Sequence, residues 1–95
     1  MFVGIYRFEG NARELLAAYD RLMGSIPQEN LSLHTCTHDQ KGMQIYDACP
    51  TKEAFIAFSS SEMLRTALAE AGLPRPEVEF IGEVHRVFWS GKRIL

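Results

Sequence analysis

The chain has 95 residues, is 46% hydrophobic and carries a formal net charge of -2. That length suits one domain with a real but thin core, a shortage that pairing with a second copy would relieve. No basic stripe is available to neutralise a phosphate backbone, which argues against nucleic acid as a partner, and the apolar runs fall far short of the roughly 18 residues of a membrane span.

The first strand is predicted from Phe2 to Phe8, ending at Gly10. Its apolar start has no basic leader and meets Arg7, Glu9 and Arg13 at once, so it reads as a strand and not as a signal peptide. A cytoplasmic location is the default expectation, and the two cysteines, which form neither a CxxC nor a metal-knuckle spacing, are expected as free thiols. A helix should follow from Asn11, an N-cap with Glu14 three residues on. Leu15, Leu16, Tyr19, Leu22, Met23 and Ile26 give it one apolar stripe before Pro27 stops it.

Leu31 to His38 and Met43 to Ala48 read as a hairpin joined by Asp39-Gln40-Lys41-Gly42. Thr51 offers a second N-cap for a helical stripe running from Ala54 to Ala71. Ser59-Ser60-Ser61 should split that helix in two, because serines compete for backbone hydrogen bonds and favour caps. Gly72 ends it and Pro74-Arg75-Pro76 carries the chain to a last strand, Glu77 to Phe88. The expected organisation is a single domain over residues 1–88 and a tail over 89–95. The order β-α-β-β-α-β fits an α+β fold of ferredoxin-like type, a four-stranded antiparallel sheet with both helices on one face.

Strand parity assigns Val3, Ile5, Leu31, Leu33, Met43, Ile45, Phe80 and Val84 to the face under the helices. The other face then carries Tyr6, Phe8, His34, Cys36, Tyr46, Ile81, His85 and Val87, a mixture of aromatic and polar groups suited to an interface or ligand groove. A regular hairpin register sets His34 opposite Tyr46 and Cys36 opposite Gln44. Arg7 and Asp47 are expected to form a structural ion pair on the helix side.

The element order, the junction Gln44-Ile45-Tyr46-Asp47-Ala48-Cys49-Pro50-Thr51-Lys52-Glu53-Ala54-Phe55, the closing Ala69-Glu70-Ala71-Gly72-Leu73-Pro74, and Glu83-Val84-His85-Arg86-Val87-Phe88 resemble the dimeric α/β-barrel superfamily. Its members include antibiotic-biosynthesis-type monooxygenases and small bacterial proteins of unknown function. The resemblance extends to about Phe88 and implies a homodimer through the sheet face, with a cleft between the sheets or between sheet and helices. Haem-degrading members use a first-strand asparagine, a tryptophan and a helix-borne histidine. Here the first strand offers Arg7, the only tryptophan is Trp89 in the tail and the second helix has no histidine, so haem degradation is disfavoured. Cofactor-free members oxidise activated aromatic substrates in an apolar cleft, and no cofactor is expected here.

The chemistry-bearing residues centre on His34-Thr35-Cys36-Thr37-His38. Alternation puts His34, Cys36 and His38 on one strand face, yet three such residues span about 13 Å, too far to converge on one ion. Metal binding is therefore disfavoured against a cleft-lining His34, a buried Cys36 and an exposed His38. Neither Cys36 in mid-strand nor Cys49 before the second helix has an assured activating base. His34, Tyr46 and His85 are the candidate catalytic residues, with the histidines as acid and base if the strands meet across a dimer. Two functions follow: a cofactor-independent monooxygenase or related enzyme acting on a small aromatic or apolar molecule, or a non-catalytic ligand-binding or structural homodimer.

Overall fold

The computed structural model describes residues 1–95. Strand β1 (Phe2–Glu9) leads into helix α1 (Ala12–Met23), and a 3₁₀ turn at Gln28–Asn30 precedes the hairpin of β2 (Leu33–His38) and β3 (Gly42–Cys49). Helices α2 (Lys52–Ser59) and α3 (Glu62–Ala71) come next, then β4 (Glu77–Glu83) and two short strands, β5 (Phe88–Trp89) and β6 (Lys92–Arg93). The main sheet is antiparallel throughout, in the order β2-β3-β1-β4. This is an α+β fold compatible with the ferredoxin-like arrangement, with three helices because the second helical stretch is divided.

Local chemistry explains the boundaries. The side chain of Asn11 accepts from the Glu14 N–H at 3.1 Å and starts α1. Thr51 accepts from the Ala54 N–H at 3.0 Å and starts α2. The serine run acts as anticipated: the Ser60 and Ser61 hydroxyls donate to the carbonyls of Ile56 and Phe58 at the end of α2, while Ser61 Oγ also accepts from the Leu64 N–H to begin α3. Gly72 ends α3 in the left-handed region at φ 88°, and the Leu73 N–H returns to the Leu68 carbonyl at 2.9 Å.

The last strand is shorter than the sequence suggests. Ladder pairing ends at Glu83, after a register shift opposite Val3 and Gly4, and residues 84–87 are irregular. The tail forms its own hairpin, Phe88 opposite Arg93 and Trp89 opposite Lys92, around Ser90 and Gly91, both with positive φ. Helix α1 also stops earlier, at Met23, leaving Ile26 in the connection.

Two strand parities differ from those expected. The helix side of β1 carries Phe2, Gly4, Tyr6 and Phe8, which pair in register with Cys49, Asp47, Ile45 and Met43 of β3. Phe2, Tyr6, Phe8, Met43 and Ile45 all belong to the buried cluster shared with the helices. Val3 and Ile5 lie on the opposite face. In the β2–β3 hairpin, His34 pairs with Asp47 and Cys36 with Ile45, one residue away from the expected register, so His34 and Cys36 turn towards the helices and Tyr46 away. The turn accounts for the slip. Asp39 Oδ1 accepts from the backbone N–H groups of Lys41 and Gly42, and the Asp39 N–H donates to the Gly42 carbonyl, so that His38 and Met43 become the last pair. Arg7 accordingly meets Glu79 at 3.4 Å on the face away from the helices, and the expected pair with Asp47 does not form.

Phe55 of α2 is fully buried. Its ring lies 5.9 Å from Phe2, 5.5 Å from Tyr6 and 5.9 Å from Phe80, centroid to centroid. It sits directly over Gly4, where any Cβ would overlap the ring. Gly4→Ala should therefore cost about 1–3 kcal/mol of stability, the usual penalty for overpacking a filled core. Urea denaturation reads this as a lower midpoint with an unchanged slope.

Candidate functional site

A cavity of about 600 Å³ lies between the helices and the sheet, walled mainly by apolar side chains from β1, α1, the connection over residues 24–32, β3, α2 and α3. It thus lies under the helices, and not on the face away from them. The polar exceptions in its wall include Tyr6, Tyr19, His34, Asp47 and Cys49.

Three of these form a chain. The Tyr19 hydroxyl lies 2.7 Å from His34 Nε2, and His34 Nδ1 lies 3.4 Å from Asp47 Oδ1. The side chains of His34 and Asp47 retain only 14% and 12% of their exposure, so water competes little for these contacts. A carboxylate offers acceptors only, which places the imidazole proton on Nδ1 and leaves Nε2 to accept from the Tyr19 hydroxyl. The rings of Tyr19 and His34 are nearly parallel, at 17° with centroids 5.9 Å apart, which keeps the hydroxyl at the imidazole edge. Each residue comes from a different element: Tyr19 from α1, His34 from the edge strand β2 and Asp47 from β3, directly across the ladder from His34.

Such an arrangement is chemically able to relay a proton. Tyr19 lines the cavity, and a proton accepted at its oxygen can be matched by transfer of the phenolic proton to His34, whose positive charge Asp47 then stabilises. Burial, followed by the charges of Cys36, Asp20 and Asp47, pushes the Tyr19 phenol upward, so it remains protonated at neutral pH. Tyr6 is raised further, by burial first and then by Asp47 and Cys49. Its hydroxyl is buried and has no hydrogen-bond partner.

Of the three candidate catalytic residues named from sequence, only His34 lines this cavity. Tyr46 is on the opposite sheet face and 38% exposed. His85 is exposed in the irregular stretch after β4. The three are not brought together. Cys36 packs at the edge of the core, and Cys49 lines the cavity; burial pushes both thiols upward, aided by Asp20 for Cys36 and by Asp47 for Cys49, which leaves them weak nucleophiles at neutral pH. Sequence reading took Tyr19 as one member of an apolar stripe and Asp47 as a partner for Arg7. The signal that would have found both was the hairpin register, which decides whether His34 faces Tyr46 or Asp47.

Comparison with protein-family models, with curated proteins and with solved structures found nothing that matches the chain.

The four raised acids predict an alkaline limit to stability. Tyr6, Tyr19, Cys36 and Cys49 hold their protons more tightly when folded than at the ordinary values of 10.0 for a phenol and 9.0 for a thiol. Their contribution is complete below those unfolded values and is lost as pH rises through the higher folded ones. The urea midpoint should therefore fall progressively above pH ~9, and Tyr6→Phe should flatten the decline. A midpoint that rises over that range would contradict this account.

Proposed function

We propose that the chain is a small enzyme that removes a proton from a compact, largely apolar molecule held between its helices and its sheet. The observation that carries this reading is the Tyr19–His34–Asp47 chain in the wall of an apolar cavity, where low polarity strengthens each charge interaction formed during proton transfer. The resemblance to the dimeric α/β-barrel superfamily favours a cofactor-independent monooxygenase. An activated aromatic methylene gives a proton to the relay, and its carbanion reduces dioxygen to a hydroperoxide. Loss of water then leaves a ketone, so that R₂CH₂ and O₂ become R₂C=O and H₂O. Dioxygen is the oxidant and the substrate carbon is oxidised.

Anthrone, an aromatic with one acidic methylene, provides the test through oxygen uptake and quinone absorbance. Turnover by the intact protein is expected to fall by about 10²–10⁴ in His34→Gln, the usual worth of a positioned general base. Asp47→Asn should lower it by about tenfold or more, because the imidazolium loses its stabilising charge. Tyr46→Phe and His85→Gln should remain within about twofold of the parent, as neither lines the cavity. Oxidation that is indifferent to His34 would refute the reading.

A second reading, a structural or ligand-binding homodimer, is favoured by the face away from the helices. Leu33 and Tyr46 lie on it with 38% exposure each, beside Ile5 and Ala48, which the single chain already covers. Pairing of two such faces gives the homodimer that both readings share. Sedimentation should report a dimer that Leu33→Asp and Tyr46→Asp convert to monomer and that His34→Gln leaves intact. A catalytically silent dimer in the anthrone assay would favour the second reading.

A further inference from the structure

The Tyr6 hydroxyl is an unmatched donor beside the proposed relay. Tyr6 is 5% exposed, its oxygen is shut off from solvent, and no protein group accepts its hydrogen. Most buried hydroxyls find a partner, and one that does not costs on the order of 1–3 kcal/mol, so such a group calls for an explanation. Its surroundings offer no structural one. Tyr6 projects from the middle of β1 towards the helices, is fixed by the Phe55 ring, and lines the same cavity as His34 and Asp47.

We propose that Tyr6 donates a hydrogen bond to a carbonyl oxygen of the bound molecule, so that this cavity takes an aromatic or alicyclic ketone with its oxygen on the β1 side and its proton-losing carbon towards Tyr19. The assignment rests on the functional reading above for the direction of the second group, but the donor itself is independent of any reaction. A phenol held in its protonated form by burial and by the nearby Asp47 carboxylate has an unused proton to donate, and a carbonyl oxygen is the acceptor an otherwise apolar molecule of this size most readily carries. Proton loss next to that carbonyl moves negative charge onto its oxygen. The hydrogen bond from Tyr6 is then stronger after deprotonation than before, which is the requirement for a group that assists the step. Because the hydroxyl is enclosed, the oxygen reaches it only as the cavity fills and its wall adjusts.

The test pairs two probes of nearly the same shape, 1-tetralone and its deoxygenated counterpart tetralin, with the intact protein and with Tyr6→Phe. Binding is followed by calorimetry. Tyr6→Phe removes one unpaired atom and should fold with unchanged or higher stability in the absence of ligand, whereas loss of a hydroxyl that held the fold together would lower it. Tetralone affinity should fall by about fivefold or more in the variant while tetralin affinity holds or rises, the difference between the two ratios isolating the hydrogen bond. The carbonyl stretch of bound tetralone should lie at lower frequency in the parent than in Tyr6→Phe. Equal responses of the two probes to the substitution, with no shift of the carbonyl band, would overturn the assignment and leave the cavity reading standing. Failure of both probes to bind the parent would remove the cavity as a ligand site and this inference with it.

Discussion

The seating of Phe55 on the bare backbone of Gly4 sets the geometry on which the other contacts depend. The aromatic ring lies fully buried over a central strand, and it can do so only because the position beneath it lacks a Cβ. That contact fixes the phase of β1. With Gly4 under the helices, Phe2, Tyr6 and Phe8 must point the same way, and the ladder carries the phase across to Met43, Ile45 and Asp47 and then to Cys36 and His34. A shift of one residue would invert the entire sheet relative to its helices. The aromatic cluster of Phe2, Tyr6, Phe55 and Phe80 is thus both the core of the domain and the device that points two polar side chains inward.

Placing a histidine and a carboxylate on the covered side of a sheet has a cost. Each polar group loses its water, and only mutual hydrogen bonding offsets the loss. The chain from Tyr19 through His34 to Asp47 meets that requirement for three residues at once, with each partner supplied by a separate element. A group of this kind is sensitive to how α1 lies on the edge strand. The guanidinium of Arg21, two residues beyond Tyr19, holds α1 in place by donating from Nε and Nη2 to the Ala71 carbonyl at the end of α3, at 3.2 and 3.0 Å. The same contact satisfies a carbonyl that the helix terminus leaves without an internal partner.

Element order, the caps at Asn11, Thr51 and Gly72, and the division of the second helix at the serine run were all legible in the sequence, because each depends on short-range chemistry. Parity was not. Both faces of β1 are apolar at the start, Phe2 and Tyr6 on one side and Val3 and Ile5 on the other, so alternation alone does not choose between them. The charged residues did hold the answer: Arg7 and Glu9 are in phase with Val3 and Ile5, which marks that face as the one away from the helices. In the hairpin the deciding detail was the Asp39 side chain, whose bonds to Lys41 and Gly42 set the register, and a loop of ordinary composition does not announce such bonds. The candidate site followed the same pattern. His34 was visible as a residue of interest from its type and strand position, but Tyr19 and Asp47 became its partners only once the register was known, and Tyr6 stood out only when its hydroxyl was found without an acceptor.

The position of β1 also bears on how the molecule comes into being. Among the strands of the main sheet it is made first, yet it lies between β3 and β4, and its second neighbour is complete only once Glu83 has been added. The β2–β3 hairpin can close early because its partners are adjacent in sequence, whereas β1 must wait with Phe2, Tyr6 and Phe8 in water or in transient contacts. A nascent chain of this order therefore carries the apolar side chains of β1 unprotected until its partner strands have been made. Factors that shield emerging apolar segments should affect its yield far more than they affect the stability of the finished fold.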